Sequence, residues 1–174
     1  MKIGTKEIGL IAVGGVVGAI LYMYFKPKSK NTNVKKVSAN ATITNEEIKK
    51  LLDDWKTEIC NPKHTPESIS NLYDDEALLH GTLANDLAEG KRGIQGYFKN
   101  LLENDNLCVE INNNVIQNNG STVSNTGEYT FSLDKKENGK PTKIDARYTF
   151  VYGKGSDGKW KILNHHSSKG VAQK

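Results

Sequence analysis

The densest run of reactive side chains in this chain is Asn164-His-His-Ser-Ser168, near the C-terminus. Adjacent strand residues point to opposite faces, so His165 and Ser167 share one face and His166 and Ser168 the other. Only one of these pairs can look into a pocket. Thr82, Tyr97, Tyr129, Arg147 and Tyr148 are further polar groups able to converge there. Arg147 stands between apolar neighbours in a strand, and a buried Arg requires a partner or an anionic ligand. A His-His-Ser-Ser run at a strand end also serves as plain edge polarity or a satisfied hydrogen-bond network, so composition alone assigns no reaction.

Other chemistries fit poorly. The four histidines are His64, His80, His165 and His166, and no HxH, HExxH or Cys-x-x-Cys pattern occurs. Neighbouring strand histidines diverge, which disfavours zinc. No Gly-x-Ser-x-Gly elbow marks a serine nucleophile. Cys60 falls near a helix end and Cys108 in an alternating strand, and both read as small packing residues.

These groups must be positioned by a domain that the remaining pattern outlines. Thr44-Asn-Glu-Glu47 is a capping box, followed by Ile48, Leu51, Leu52, Trp55 and Ile59 at helical spacing. Asn61-Pro62 ends this helix near Cys60. Thr65-Pro66 opens a short second helix, with Ile69, Leu72 and Tyr73 facing inward. A short extended piece covers 77–79, and a third helix runs from about Arg92 to Asn104. From residue 107 the period becomes two: Leu107, Val109, Ile111 and Val115 alternate with polar residues. Strands over 123–133, 144–152 and 159–167 follow, separated by turns at Asn118-Asn-Gly120 and Glu137-Asn-Gly139. Helices first and an antiparallel meander afterwards predict an α+β domain over residues 44–168, with one sheet face under the helices. Residues 169–174 form a tail.

The chain has 174 residues, 36% hydrophobic and 25% charged, enough apolar content for one core domain. Its net charge of +4 is unevenly placed. Residues 1–36 hold seven lysines and one glutamate, while the remainder holds 17 Lys+Arg against 19 Asp+Glu. A slightly acidic domain excludes a basic nucleic-acid surface. After a flank of residues 1–7, residues 8–25 are 18 uncharged residues ending in Tyr-Met-Tyr-Phe. At 1.5 Å rise per residue they span roughly 27 Å, the reach of a transmembrane helix. No small-x-small cleavage site follows, so an uncleaved single span in contact with membrane lipid is expected rather than a signal peptide. Residues 26–43 form a basic flexible linker. Five lysines follow the span and two precede it, which by the positive-inside rule puts the domain on the cytosolic side.

Five segments carry a family resemblance: Ala77-Leu-Leu-His-Gly-Thr-Leu-Ala84, Gly93-Ile-Gln-Gly-Tyr-Phe98, Gly127-Glu-Tyr-Thr-Phe131, Ala146-Arg-Tyr-Thr-Phe-Val-Tyr152 and Gly158-Lys-Trp-Lys-Ile-Leu-Asn-His-His-Ser-Ser168. In order and spacing they resemble the calcium/calmodulin-dependent protein kinase II association-domain-like group of the nuclear transport factor 2-like, or SnoaL-like, superfamily. Within it the chain is most similar to the iota-class carbonic anhydrases. The resemblance implies a cone-shaped α+β barrel with a cystatin-like curved sheet, a homodimer or larger homo-oligomer, and reversible hydration of CO2 to bicarbonate, in some members without any metal; the poverty of metal ligands here fits such members, and no cofactor is expected. Carried over by motif position, Thr82, Tyr97 and Ser167 would be the active hydroxyls and His165 and His166 their polar neighbours; Tyr129 and Arg147, from the reading of the residues themselves, are the expected substrate-binding groups. A non-catalytic oligomerisation or small-ligand module on the same scaffold is the alternative. The chain departs from the pattern at His80-Gly81, where a larger apolar residue and Pro are expected, and at the Lys169-Gly-Val-Ala-Gln-Lys174 tail.

Overall fold

The computed structural model describes residues 42–135 and 138–170. The expected membrane span and most of the linker lie outside the described residues, and no helix among the described residues is long and apolar enough to cross a membrane. Helix α1, Asn45–Cys60, begins at the expected capping box: Glu47 N–H donates to Thr44 Oγ1 at 3.2 Å and Thr44 N–H returns to Glu47 Oε2 at 2.8 Å. Ile48, Leu52, Trp55 and Ile59 lie on one face of the helix and are buried. Asn61 takes extended backbone geometry before Pro62 and stops it. Helix α2, Pro66–Ser70, is a single capped turn. Tyr73, expected on that turn, instead opens strand β1, Tyr73–His80. The two-residue strand β2, Ala88–Glu89, leads into helix α3, Gly90–Leu101, which buries Ile94, Phe98 and Leu101.

Four long strands complete the chain: β3, Asp105–Asn118; β4, Thr122–Asp134; β5, Pro141–Lys154; and β6, Trp160–Lys169. They form the expected meander, and the sheet is larger and mixed rather than antiparallel. Its order is β2-β1-β6-β5-β4-β3, with β1 running parallel to β6. The last strand therefore inserts between the first and the fifth. A pairing between segments so far apart in the chain leaves no local trace in sequence, whereas hairpin turns do. Parallel register sets His80 opposite His166, so the chain leaves β1 at Gly81-Thr82 directly beside Ser167.

The inner face carries Tyr129, Phe131, Tyr148, Phe150, Tyr152, Ile162 and His165 against Trp55 of α1. Val115 does not join them. A bulge between Ile111 and Asn113 shifts the alternation, and Val115 is 65% exposed. Gly127 faces this bulge, where a Cβ would collide with the Asn113 carbonyl, and the Tyr148 hydroxyl donates to that carbonyl at 3.2 Å.

The two cysteines do more than pack. Cys60, at the end of α1, is joined to Cys108, near the start of β3, in a disulfide. Their spacing of 48 residues carries no motif, and only the packing of α1 across the sheet brings them together. The closed loop contains α2, β1, β2 and α3. Closing a loop of this size is worth about 2–5 kcal/mol, chiefly through the unfolded state. Cys108→Ser, or full reduction, is expected to lower the unfolding free energy by that amount in denaturant titrations, with the far-ultraviolet circular dichroism of the native state retained.

Candidate functional site

Ser167 and His165 face inward from β6, because Ile162, His165 and Ser167 are buried while His166 is exposed. This settles which face of the last strand enters the core. His165 is 3% exposed, and its ring stacks on Phe150 at 4.0 Å between centroids. Trp55 packs edge-on against it at 5.6 Å.

Around His165 runs a continuous series of hydrogen bonds. Trp55 Nε1–H donates to Tyr73 Oη at 3.0 Å. Tyr73 Oη lies 2.9 Å from His165 Nδ1. His165 Nε2 lies 3.4 Å from Tyr129 Oη, which donates to Ser167 Oγ at 2.6 Å. Ser167 Oγ is hydrogen-bonded in turn to Thr82 Oγ1. Five elements thus supply one polar thread through an aromatic core: α1, β1, the turn after β1, β4 and β6. Burial of aromatic rings with polar tips demands such partners.

Tyr97 completes the group from α3. Its ring lies against Gly81, where a Cβ would collide with the ring and fall 2.6 Å from Oη. The departure from the family pattern at this position is therefore the space that the tyrosine occupies, next to Thr82. Thr82 and Ser167 are hydrogen-bonded to each other, with Tyr129 and His165 in the same thread, and Tyr97 lies against Gly81, the residue before Thr82. Arg147 does not join this group. It is exposed on the outer face of β5, because Ala146 and Tyr148 on either side of it take the buried positions. His166 is exposed as well, its ring 5.9 Å from that of His80 on the neighbouring strand. Trp55 and Tyr73 are members that sequence reasoning treated only as core. Their signal was the aromatic ring with a polar tip at a fully inward position.

Burial governs the protonation states. It pushes the His165 imidazole down to about 3, with a smaller contribution from His166, so the ring is neutral at physiological pH. Burial also lifts the Tyr129 hydroxyl to about 12, against the opposing hydrogen bonds from Ser167 and Thr82. Tyr97 and Tyr73 are raised too, again mainly by burial. The site is a set of neutral donors and acceptors. Among the described residues no three His, Cys, Asp or Glu side chains gather as metal ligands.

A cavity of about 800 Å³ opens beside Tyr97, between α3, the loop after β1 and the ends of β4 and β5. Leu87, Ala88, Leu101, Leu133 and Ile144 supply apolar wall, and Lys135, Lys143 and Lys169 contribute to its lining. Tyr97 lines this cavity, whereas Thr82, Tyr129, His165 and Ser167 do not. The tyrosine ring thus stands between the open cavity and the hydroxyl thread.

A histidine held neutral has a consequence for stability. With its folded value near 3 and an ordinary value of 6.5, the unfolded chain binds a proton that the folded chain refuses between those limits. Stability contributed by neutral His165 is fully present above pH 6.5 and is lost as pH falls towards 3. The unfolding free energy should drop with a slope approaching about 1.4 kcal/mol per pH unit in mid-window. In His165→Gln this component of the slope should vanish when denaturant midpoints are measured against pH.

Comparisons place this architecture among known proteins. The family model of the calcium/calmodulin-dependent protein kinase II association domain matches residues 44–171. A solved structure from Xanthomonas campestris, described as a domain of that kind, is 30% identical and superposes with a TM-score of 0.67, covering 80% of this chain and all of that one. A nuclear transport factor 2-like superfamily protein from Salmonella enterica serovar Typhimurium is similar in fold at 15% identity and TM-score 0.63, covering 74% of this chain and 92% of that chain. A hexachlorocyclohexane dehydrochlorinase from Novosphingobium barchaimii shares the fold at 16% identity and TM-score 0.60, over 71% and 84% of the two chains. No curated protein matches the sequence. With the family model spanning the whole described domain, and the mixed sheet and helices arranged as in these structures, the chain belongs to the calcium/calmodulin-dependent protein kinase II association-domain family.

Proposed function

We propose that this domain is an iota-type carbonic anhydrase acting without a metal, anchored to a membrane through its N-terminal segment. The observation that carries the reading is the meeting of Thr82, Ser167 and Tyr129 in one hydrogen-bonded cluster with Tyr97 beside it. In the reaction a water oxygen bonds to the CO2 carbon, and one C=O electron pair moves onto oxygen. The water's proton leaves to solvent, giving bicarbonate and H⁺. Negative charge develops on the CO2 oxygens, and in this reading the hydroxyls of Thr82 and Tyr97 donate to it. His165 orients the hydroxyls. Its low affinity for protons suits it poorly to hold the one released at neutral pH.

A second reading rests on the cavity. A volume of about 800 Å³ exceeds what a triatomic gas needs and fits a small organic molecule. In that case the domain is a ligand-binding and self-associating module, and its family membership supports self-association under either reading. One fold hosts many chemistries, so the site has to decide.

The disulfide bears on location. Disulfides persist in oxidising compartments, which supports an extracytosolic domain, against the side that the lysine distribution assigns. In cells lysed directly into a bulky maleimide, the full chain should shift in gels only after reduction. A shift without reductant would return the domain to the cytosol.

The activity is tested by stopped-flow CO2 hydration with the full-length chain, with and without a strong chelator. Hydration that survives chelation is expected. Thr82→Ala and Ser167→Ala should each lose about 10²–10³-fold in kcat while keeping the native fold. Full activity in both variants refutes the assignment. No hydration by the parent chain, combined with saturable binding of an organic ligand, supports the second reading instead.

A further inference from the structure

His80 and His166 form a matched pair on the outside of the sheet. They are Cα partners in the parallel register of β1 and β6, and neighbouring strands lie about 4.8 Å apart. Leu79 and His165, one residue earlier on each strand, are buried, so His80 and His166 both leave the opposite face and are exposed. Their ring centroids are 5.9 Å apart and the ring planes meet at 44°. Among the described residues neither ring makes a hydrogen bond, whereas Nδ1 of His64 is tied to the Ile59 carbonyl at 3.0 Å.

Imidazole is the commonest protein ligand for metals and suits zinc, copper and nickel. A metal–nitrogen bond of about 2.0–2.1 Å puts the ion about 3.2 Å from a ring centre, so two rings on one ion are at most about 6.4 Å apart. The observed separation falls inside that limit. We infer that His80 and His166 form a two-imidazole chelate on the outer face of the sheet for a divalent ion of the zinc, copper or nickel class.

The backbone prepares this chelate. β1 lies between β2 and β6, and β6 lies between β1 and β5, so each histidine stands on a strand paired on both sides. The two Cα positions are thereby fixed, and only side-chain torsions have to settle on binding. The second imidazole then acts as an intramolecular ligand and strengthens binding about 10²-fold or more over one alone. Two protein ligands leave the remaining coordination positions open to water. Thr149, the partner of His166 on β5, borders the pair with a hydroxyl that it shares with Thr126 at 3.2 Å. Arg147, two residues away on β5, stands opposite Glu128 on β4, so the charges flanking the pair offset one another. Mg²⁺ and Ca²⁺ prefer oxygen ligands, which this pair does not supply. The site is on the face opposite His165 and Ser167, and it does not rest on the hydration reading.

Cu²⁺ titrated into the full-length chain should fill one strong site, with an electron paramagnetic resonance spectrum that carries the coupling of two imidazole nitrogens. Zn²⁺ and Ni²⁺ should displace it, and Mg²⁺ should not. His80→Asn and His166→Asn should each weaken binding about 10²-fold. The double variant should lose little more than either single one, because one chelate is broken in all three. His64→Asn should bind as the parent does. Coupling to a single imidazole in the parent chain, losses that add, or strong binding that survives in either variant overturns the chelate. The parent spectrum decides without any variant having to fold. Hydration under chelation is a separate readout, so the reaction and this site can fail independently.

Discussion

The parallel pairing of β1 with β6 is the constraint from which the site follows. It is the one parallel contact between paired strands of the described sheet, and it joins the opening strand of the domain to its last. Opposing His80 to His166 makes the turn after β1 fall beside Ser167. A slip of one residue would put Thr82 out of reach and turn the inner side chains of β6 outward. The apolar pattern of both strands guards against that slip: Ala77 and Leu79 on β1, and Ile162 on β6, are all buried. Core packing thus sets the register, and register brings together two hydroxyls separated by 85 residues.

Within that frame the core accepts an unusual cargo. Trp55, Tyr73, Tyr129 and His165 are each at most 3% exposed, yet every one has a polar atom. The arrangement is tolerable because the groups satisfy one another in sequence and none is charged. A carboxylate among them would bring a large desolvation penalty. The histidine shows the same logic in reverse: burial removes its capacity to charge, which turns a residue known for proton transfer into a neutral relay of orientation. The π-stacked neighbours, Phe150 and Tyr73, hold the ring in plane and leave both nitrogens available to their partners.

Tyr97 links this interior to the outside. It arrives from α3, a different layer of the fold, and rests in the space left by Gly81. The missing side chain at Gly81 is therefore the space that the Tyr97 ring fills. The disulfide between Cys60 and Cys108 ties the ends of the segment that carries both Thr82 and Tyr97. Reduction would leave the sheet intact while loosening the constraints on Thr82 and Tyr97.

Much of the fold was legible in the residues because its signals are local. The capping box at Thr44, the stop at Asn61-Pro62, the two-residue periodicity of the long strands and their turns all act over a few positions, and all appear in the structure near the expected places. The family segments likewise contain Thr82 and Ser167, which the structure joins by a hydrogen bond. What stayed hidden was long-range or depended on a single inserted residue. The bulge after Ile111 turned Val115 outward, and the alternation around Arg147 ran opposite to the pocket. Tyr73 moved from a helix to a strand and became a hydrogen-bond partner of His165. The cysteine pair, the parallel strand and the hydrogen-bond thread arise from contacts between segments dozens of residues apart. Short-range propensity carries no record of such contacts, so composition and spacing determined the elements and the candidate groups, and tertiary packing alone decided which of those groups meet.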